Sequence, residues 1–211
     1  MKPSGVCGCR TPTLDRYLEK LPITQDDLSG RMILDIGAAG LYFAQEATLN
    51  YGAKIFSIDK DLSEASHRYA LWVERANARR ASIPELNALK YCLERSACTL
   101  AQALPFHDDI FDTVISISAI PLLLNSPRAI LNSFQEAIRV TKSGGTAYFY
   151  PLAPVRRPEH RQKEQKRVYR ALQQMLTREK GIRITLLPCE ENDPIGSGLK
   201  IPTQLLIIEK Y

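Results

Sequence analysis

The sequence predicts an α/β fold: a doubly wound, mostly parallel sheet whose last strand runs antiparallel. Three observations predict it. Apolar, β-branched runs alternate with stretches of helical periodicity from residue 32 to residue 180. Between Met32 and Asp59 a strand pattern, Gly37-Ala38-Ala39-Gly40, a short helical pattern and a second strand pattern follow one another and close on a carboxylate. The final two strand patterns, residues 182–187 and 204–209, have only a polar, Gly/Pro-bearing loop between them; no crossover helix fits, so they are expected as antiparallel neighbours.

With 211 residues, 45% of them apolar and 24% charged, the chain has the composition of one globular domain, not of a disordered segment. The organisation expected is an N-terminal tail and short helix over residues 1–30, then one domain over residues 31–211. No apolar run approaches the roughly 18 residues of a membrane span, so no membrane partner is expected. The first ten residues lack the apolar core of a secretory signal. Five scattered cysteines, of which only Cys7 and Cys9 are close, do not make a zinc site. Unpaired thiols of this kind fit a reducing, cytoplasmic compartment.

The elements follow in order. Leu14, Tyr17, Leu18 and Leu21 space a short amphipathic helix that Pro22 stops. Residues 32–36 are the first strand. After the glycine turn, Phe43, Ala44 and Ala47 mark one helical face, and Tyr51-Gly52 closes that helix. Residues 55–58 are the second strand, with Asp59 at its end. Leu62, Ala65, Tyr69, Trp72, Val73 and Ala76 stripe a long helix. The third strand falls either in residues 90–94 or in residues 97–100. Residues 104–109 turn into a fourth strand over residues 111–118, enriched enough in β-branched residues to be covered on both faces. Ser126-Pro127 starts a helix with a serine cap and proline in the first turn. Ile130, Leu131, Phe134 and Ile138 are its buried face, and Ser143-Gly144-Gly145 is its expected end. Residues 146–150 are a fifth strand, stopped at Pro151. Residues 159–180 form a basic helix with Val168, Leu172, Met175 and Leu176 as its apolar line.

In such sheets ligands bind at the carboxyl ends of the strands, where strand order reverses. Gly37, Asp59 and Ser118 converge on that edge. Four segments, in this order and spacing, resemble the class I S-adenosylmethionine-dependent methyltransferases. Ile33-Leu34-Asp35-Ile36-Gly37-Ala38-Ala39-Gly40 resembles the family's first motif, and Ile58-Asp59 its acidic second-strand end. Residues 104–116 resemble the fourth-strand region, and residues 136–145 the helix and turn before strand five. The resemblance implies a seven-stranded Rossmann-like methyltransferase sheet and S-adenosylmethionine as cofactor. It implies that Asp35, Gly37 and Ala39 sit at the cofactor's methionine portion and that Asp59 accepts hydrogen bonds from both ribose hydroxyls. Ser118 to Ile120 would then face the reacting methyl group. Three departures stand out: Ala39 and Leu41 replace later glycines of the turn, Leu100 (or Glu94, if the earlier third strand holds) falls where an acid contacts adenine, and residues 118–122 carry neither aromatic nor histidine.

Methyl transfer from a sulfonium needs positioning and exclusion of water more than an acid–base dyad. The function expected is therefore methyl transfer to an acceptor, small molecule or nucleic acid, that the sequence does not name. The alternative, motivated by the three departures, is an inactive methyltransferase-fold binding or regulatory protein. A nicotinamide-dependent oxidoreductase is disfavoured because Gly-x-Gly-x-x-Gly is missing. Among other candidates, His107 precedes strand four and could line the site, Cys189 reads as a loop thiol beyond strand six, and Asp112 orients the strand-four turn. Residues 156–180 hold nine Lys/Arg against three Glu, a stripe that could follow a nucleic-acid backbone or be only a solvated helix face.

Overall fold

Continuous apolar runs place β1 (Met32–Ile36) and β4 (Phe111–Ile117) side by side and parallel, with Leu34 opposite Val114. The computed structural model describes residues 13–60, 62, 81–124, 126–152, 158–192 and 200–211. Around that pair lie α1 (Leu14–Lys20), α2 (Tyr42–Tyr51), β2 (Lys54–Ile58), α3 (Ile83–Glu94), β3 (Ser96–Ala97), α4 (Pro127–Val140), β5 (Thr141–Tyr150), α5 (Pro158–Arg178), β6 (Ile182–Asn192) and β7 (Lys200–Lys210). The seven strands form one sheet in the order β3-β2-β1-β4-β5-β7-β6. All pairings are parallel except those of β7, which is antiparallel to both β5 and β6. This is the doubly wound sheet with an antiparallel last strand that the sequence predicts.

Strand order reverses between β1 and β4, so the crevice of the fold opens beyond Ile36 and Ile117. Two apolar cores fill the faces. On one, Tyr17, Leu41, Phe43 and Ala47 from the α1–α2 side pack on Ile33, Ile55 and Ile115. On the other, Ile130, Phe134 and Ile138 of α4 and Val168, Leu172 and Met175 of α5 pack on Leu34, Val114 and Phe149. The helices start where short-range chemistry dictates: Ser82 and Glu85 close a reciprocal capping box on α3, and Ser126 accepts the Ala129 N–H at the head of α4.

Several expectations are corrected. Residues 90–94 are helical, because the Ser82 cap launches α3 through Glu94 and buries Ala88, Leu89 and Cys92. The third strand is instead two residues long, and of the alternative at residues 97–100 only Ala97 belongs to it. Ser143-Gly144-Gly145 does not end α4. The helix stops at Val140, where Thr141 turns extended and its hydroxyl donates to the Ala137 carbonyl. The glycine pair is an irregularity inside β5, where a Cβ on Gly145 would lie 2.8 Å from the Asp112 carbonyl oxygen. Leu176 is not on the buried line of α5; it is 56% exposed, and Ala171 takes its place. Pro188-Cys189 lies inside β6, opposite Gln204 and Thr203, where an edge strand tolerates proline. The helix expected from Leu62 onward falls, apart from buried Leu62 itself, outside the described residues.

Candidate active site

The glycine turn is fastened to the neighbouring strand. Gly37 and Ala38 N–H both donate to the Ile58 carbonyl, at 2.8 and 3.2 Å, so the turn is sewn to the end of β2. Gly37 has φ +83, and a Cβ there would lie 2.1 Å from the Ala119 Cβ, so only glycine fits between β1 and the segment after β4. Ala39 (φ 44) and Leu41 (φ 59) are also left-handed. The Leu41 side chain is 1% exposed and packs in the core beneath the turn, among the residues around Phe43 and Ala44. Leu41 therefore does not occlude the crevice, and the replacement of a glycine there leaves the ligand side of the turn open. Ala39 is exposed, and its N–H donates to Asp59 Oδ2 at 3.0 Å. Asp59, half-buried, thus braces the turn from the end of β2.

Asp35 is 1% exposed. The Tyr17 hydroxyl donates to its Oδ1 at 2.9 Å, while Oδ2 is buried without a partner. Burial pushes the Asp35 carboxyl up to about 7; the Tyr17 bond opposes the shift and the Asp59 charge adds to it. Burial, then the Asp35 charge, hold the Tyr17 phenol well above its ordinary value. The Tyr17 ring stacks on Phe43 with centroids 3.9 Å apart and planes 2° from parallel, so α1 and α2 together set the hydroxyl's position.

Beyond β4, Ser118 is exposed with φ 60, and its N–H donates to the Tyr150 carbonyl at 2.7 Å. Ser116 was not singled out by the sequence, yet it joins the two central strands. Its hydroxyl donates to the Ile36 carbonyl at 3.1 Å and accepts the Ile120 N–H at 3.0 Å. Its only signal in the sequence is a hydroxyl in the middle of an apolar strand. Asp35, Gly37, Ala39, Asp59 and Ser118 all lie at or just beyond the carboxyl ends of β1, β2 and β4, so the fold brings together the five residues selected from the sequence.

Other candidates lie elsewhere. His107 is exposed and precedes β4, at the opposite edge of the sheet, beside the Asp108–Arg139 ion pair. Glu94 ends α3 ahead of β3, which also puts it at that opposite edge and removes it as an adenine contact. Leu100 follows β3 on the crevice side and is 60% exposed. Cys189 stands on β6, three strands out from β4, with its Sγ toward the Leu187 carbonyl. Asp112 does orient the start of the strands: it accepts the Met32 N–H and a bond from the Lys142 ammonium, which hold its carboxyl below the usual range against the effect of burial. No group of metal-ligating side chains occurs among the described residues, and no described helix is long and apolar enough to cross a membrane.

A doubly wound sheet with a glycine turn after β1 and a carboxylate after β2 defines a domain that holds a ribose-bearing cofactor at the switch point. The family model described as a methyltransferase domain matches residues 34–149, more than half of the chain. The chain belongs to this family, the class I S-adenosylmethionine-dependent methyltransferases: it is a methyltransferase, and S-adenosylmethionine is its cofactor. No curated protein matches the sequence.

Among solved structures the chain is similar to TrmN from Thermus thermophilus, with a TM-score of 0.56, 19% identity and coverage of 89% of this chain and 46% of that one. It therefore spans about half the length of that relative. It is also similar to a methyltransferase from Methanosarcina mazei, with a TM-score of 0.52, 17% identity and coverage of 85% and 92%. A third is NodS, an N-methyltransferase from Bradyrhizobium japonicum solved with S-adenosyl-L-homocysteine, with a TM-score of 0.55, 12% identity and coverage of 93% and 86%. At these identities the likeness describes the fold.

The residues present fit the cofactor. Leu41 is turned into the core and the exposed methyl of Ala39 is small. A carboxylate stands at the end of β2, and Asp35 keeps an unsatisfied oxygen beneath the turn.

Proposed function

We propose that the chain binds S-adenosylmethionine in the crevice between β1 and β4 and transfers its methyl group to an acceptor entering beside Ser118. In this reading Asp59 holds the ribose hydroxyls, while Asp35, Gly37 and Ala39 line the methionine end. Ser118 to Ile120 face the reacting carbon. Bound there, the cofactor supplies a methyl group on an already activated sulfonium leaving group. The protein's task is to orient and to exclude water. The junction of Gly37, Ala119, Ser116 and Ile36, tied by the Ser116 hydroxyl, suits the first. The catalytic unit is residues 31–211 with residues 1–30 as its N-terminal extension, working in the cytoplasm. The observation that carries the reading is the turn bonded to Ile58 and braced by Asp59, with Leu41 buried out of the crevice.

Titration calorimetry with S-adenosylhomocysteine tests it. Wild type is expected to bind, and Asp59→Ala to bind about tenfold to a hundredfold more weakly, since it removes charged hydrogen bonds of about 1.5–3 kcal/mol. Equal affinities for wild type and variant would refute the ribose assignment.

A further inference from the structure

The buried line of α5 has a complementary outer line. Val168, Ala171, Leu172 and Met175 face the core. On the opposite side Lys163, Lys166, Arg170, Gln173, Gln174 and Thr177 are all exposed. Every one of these six side chains carries a hydrogen-bond donor, and none is a carboxylate. Among the described residues no carboxylate lies within ion-pair distance of Lys163, Lys166 or Arg170. Elsewhere Arg139, Lys142, Arg183 and Lys210 each have an acidic partner. Arg178 and Lys180, also exposed, extend the positive charge past the last turn. At about 1.5 Å per residue the line is about 21 Å long, so the six donor side chains are spread over about four turns of about 5.4 Å.

We infer that this face of α5 is a docking surface for the phosphate backbone of a nucleic acid, and that the methyl acceptor is carried on that nucleic acid. This inference rests on the methyltransferase reading for its link to the site. Three cations and two amide donors in a row without a carboxylate match phosphate oxygens, which carry negative charge and only accept; the Thr177 hydroxyl is already bonded to the Gln174 carbonyl. The half-exposed Tyr169 ring lies beside the row, its hydroxyl donating to Gln204 at 2.7 Å, and offers a fixed face to a base or sugar. An anionic membrane fits less well, because the apolar face that would enter the headgroups is already spent on the core. The geometry also connects surface and crevice. α5 follows β5, so its first turn is at the edge where β1 and β4 end, and a strand lying along the helix runs toward Ser118.

The test is fluorescence anisotropy of the full chain with a labelled mixed-sequence RNA stem-loop, a duplex DNA of the same stem, and phosphatidylserine-containing vesicles. Titrations run from about 50 to 200 mM salt, beside the triple variant Lys163→Gln/Lys166→Gln/Arg170→Gln. Wild type is expected to bind one or both nucleic acids with an affinity that falls steeply with salt. The variant should bind at least about tenfold more weakly, with a log–log salt slope shallower by about 2 to 3 units, while its affinity for S-adenosylhomocysteine and its circular dichroism stay unchanged. No nucleic-acid binding, an unchanged slope in the variant, or tighter binding to the vesicles than to either nucleic acid overturns the inference. Cofactor calorimetry separates the two failures: nucleic-acid binding without cofactor binding refutes the crevice assignment, and the reverse refutes the α5 surface.

Discussion

The two edges of the sheet are built on opposite terms. At the edge before the strands, charges are saturated. Arg139 bonds Glu136, Asp108 and the carbonyls of Leu104 and Phe106, and Glu136 with Asp108 raises its already high pKa further. Lys210 bonds Asp109 and three carbonyls, those of Ile138, Arg139 and Thr141. At the edge after the strands, Asp35 has an oxygen without a partner, and Ala39, Leu41 and Ser118 sit at left-handed angles that side chains disfavour. Among the described residues of the other edge Asp109 alone does so, and it is tied to Lys210. One edge spends its polar groups on stability. The other holds strain and unsatisfied groups in reserve, which is where a ligand can use them.

Gly37→Ala is the strongest way to sharpen this contrast. The new methyl meets Ala119 at 2.1 Å in a left-handed residue, so β1 and the segment after β4 must separate. The expected cost is about 3 kcal/mol in urea unfolding, with cofactor heat abolished. A variant of wild-type stability that still binds cofactor would show the crevice to be looser than described.

Asp35→Asn comes next and has a pH signature. The folded state holds the Asp35 proton up to about 7, whereas the ordinary carboxyl releases it near 3.8. Between those values the folded chain binds the extra proton, so this group makes wild-type stability fall as pH rises through that window and levels off above it. The variant removes the fall. It should match wild type near pH 4 and exceed it by a few kcal/mol, to order of magnitude, at pH 8. Urea midpoints across that range check this, and parallel lines for the two proteins would contradict a buried, penalised carboxylate.

Arg139→Ala probes the saturated edge and has the smallest expected effect. Its side chain is 30% exposed, so losing it costs about 1–2 kcal/mol, chiefly through the two carbonyls left without a donor. Cofactor affinity should not change. If calorimetry showed it falling with stability, the two edges would be coupled and the contrast between them would fail.

Much of this was legible in the chain itself. β1, β2 and β4 announce themselves by β-branched runs, α4 by its serine cap, and α2 by Gly52, because each signal acts within a few residues, whereas α3 reads in part as a strand. Gly37 and Asp59 stood out for the same reason, and Asp35 through the resemblance to the family's first motif. The two-residue β3 did not, since its pairing with Ser57 and Ile58 is made by β2 and not by its own composition. Ser143 to Gly145 read as a helix stop because glycine pairs usually end helices. Here Thr141 ends it first, and Gly145 accommodates the Asp112 carbonyl of another strand.

The chain's local patterns alone determined most of the order of strands and helices and that Gly37, Asp59 and Ser118 reach the crevice edge, since periodicity and caps are short-range properties. Only the tertiary structure decided how the turn between them works. Whether Leu41 points into the core or the crevice depends on Phe43 and the packing beneath it, and Asp35 meets Tyr17 across eighteen residues of chain. Such contacts are made by elements closing on one another, and no spacing within either element encodes them.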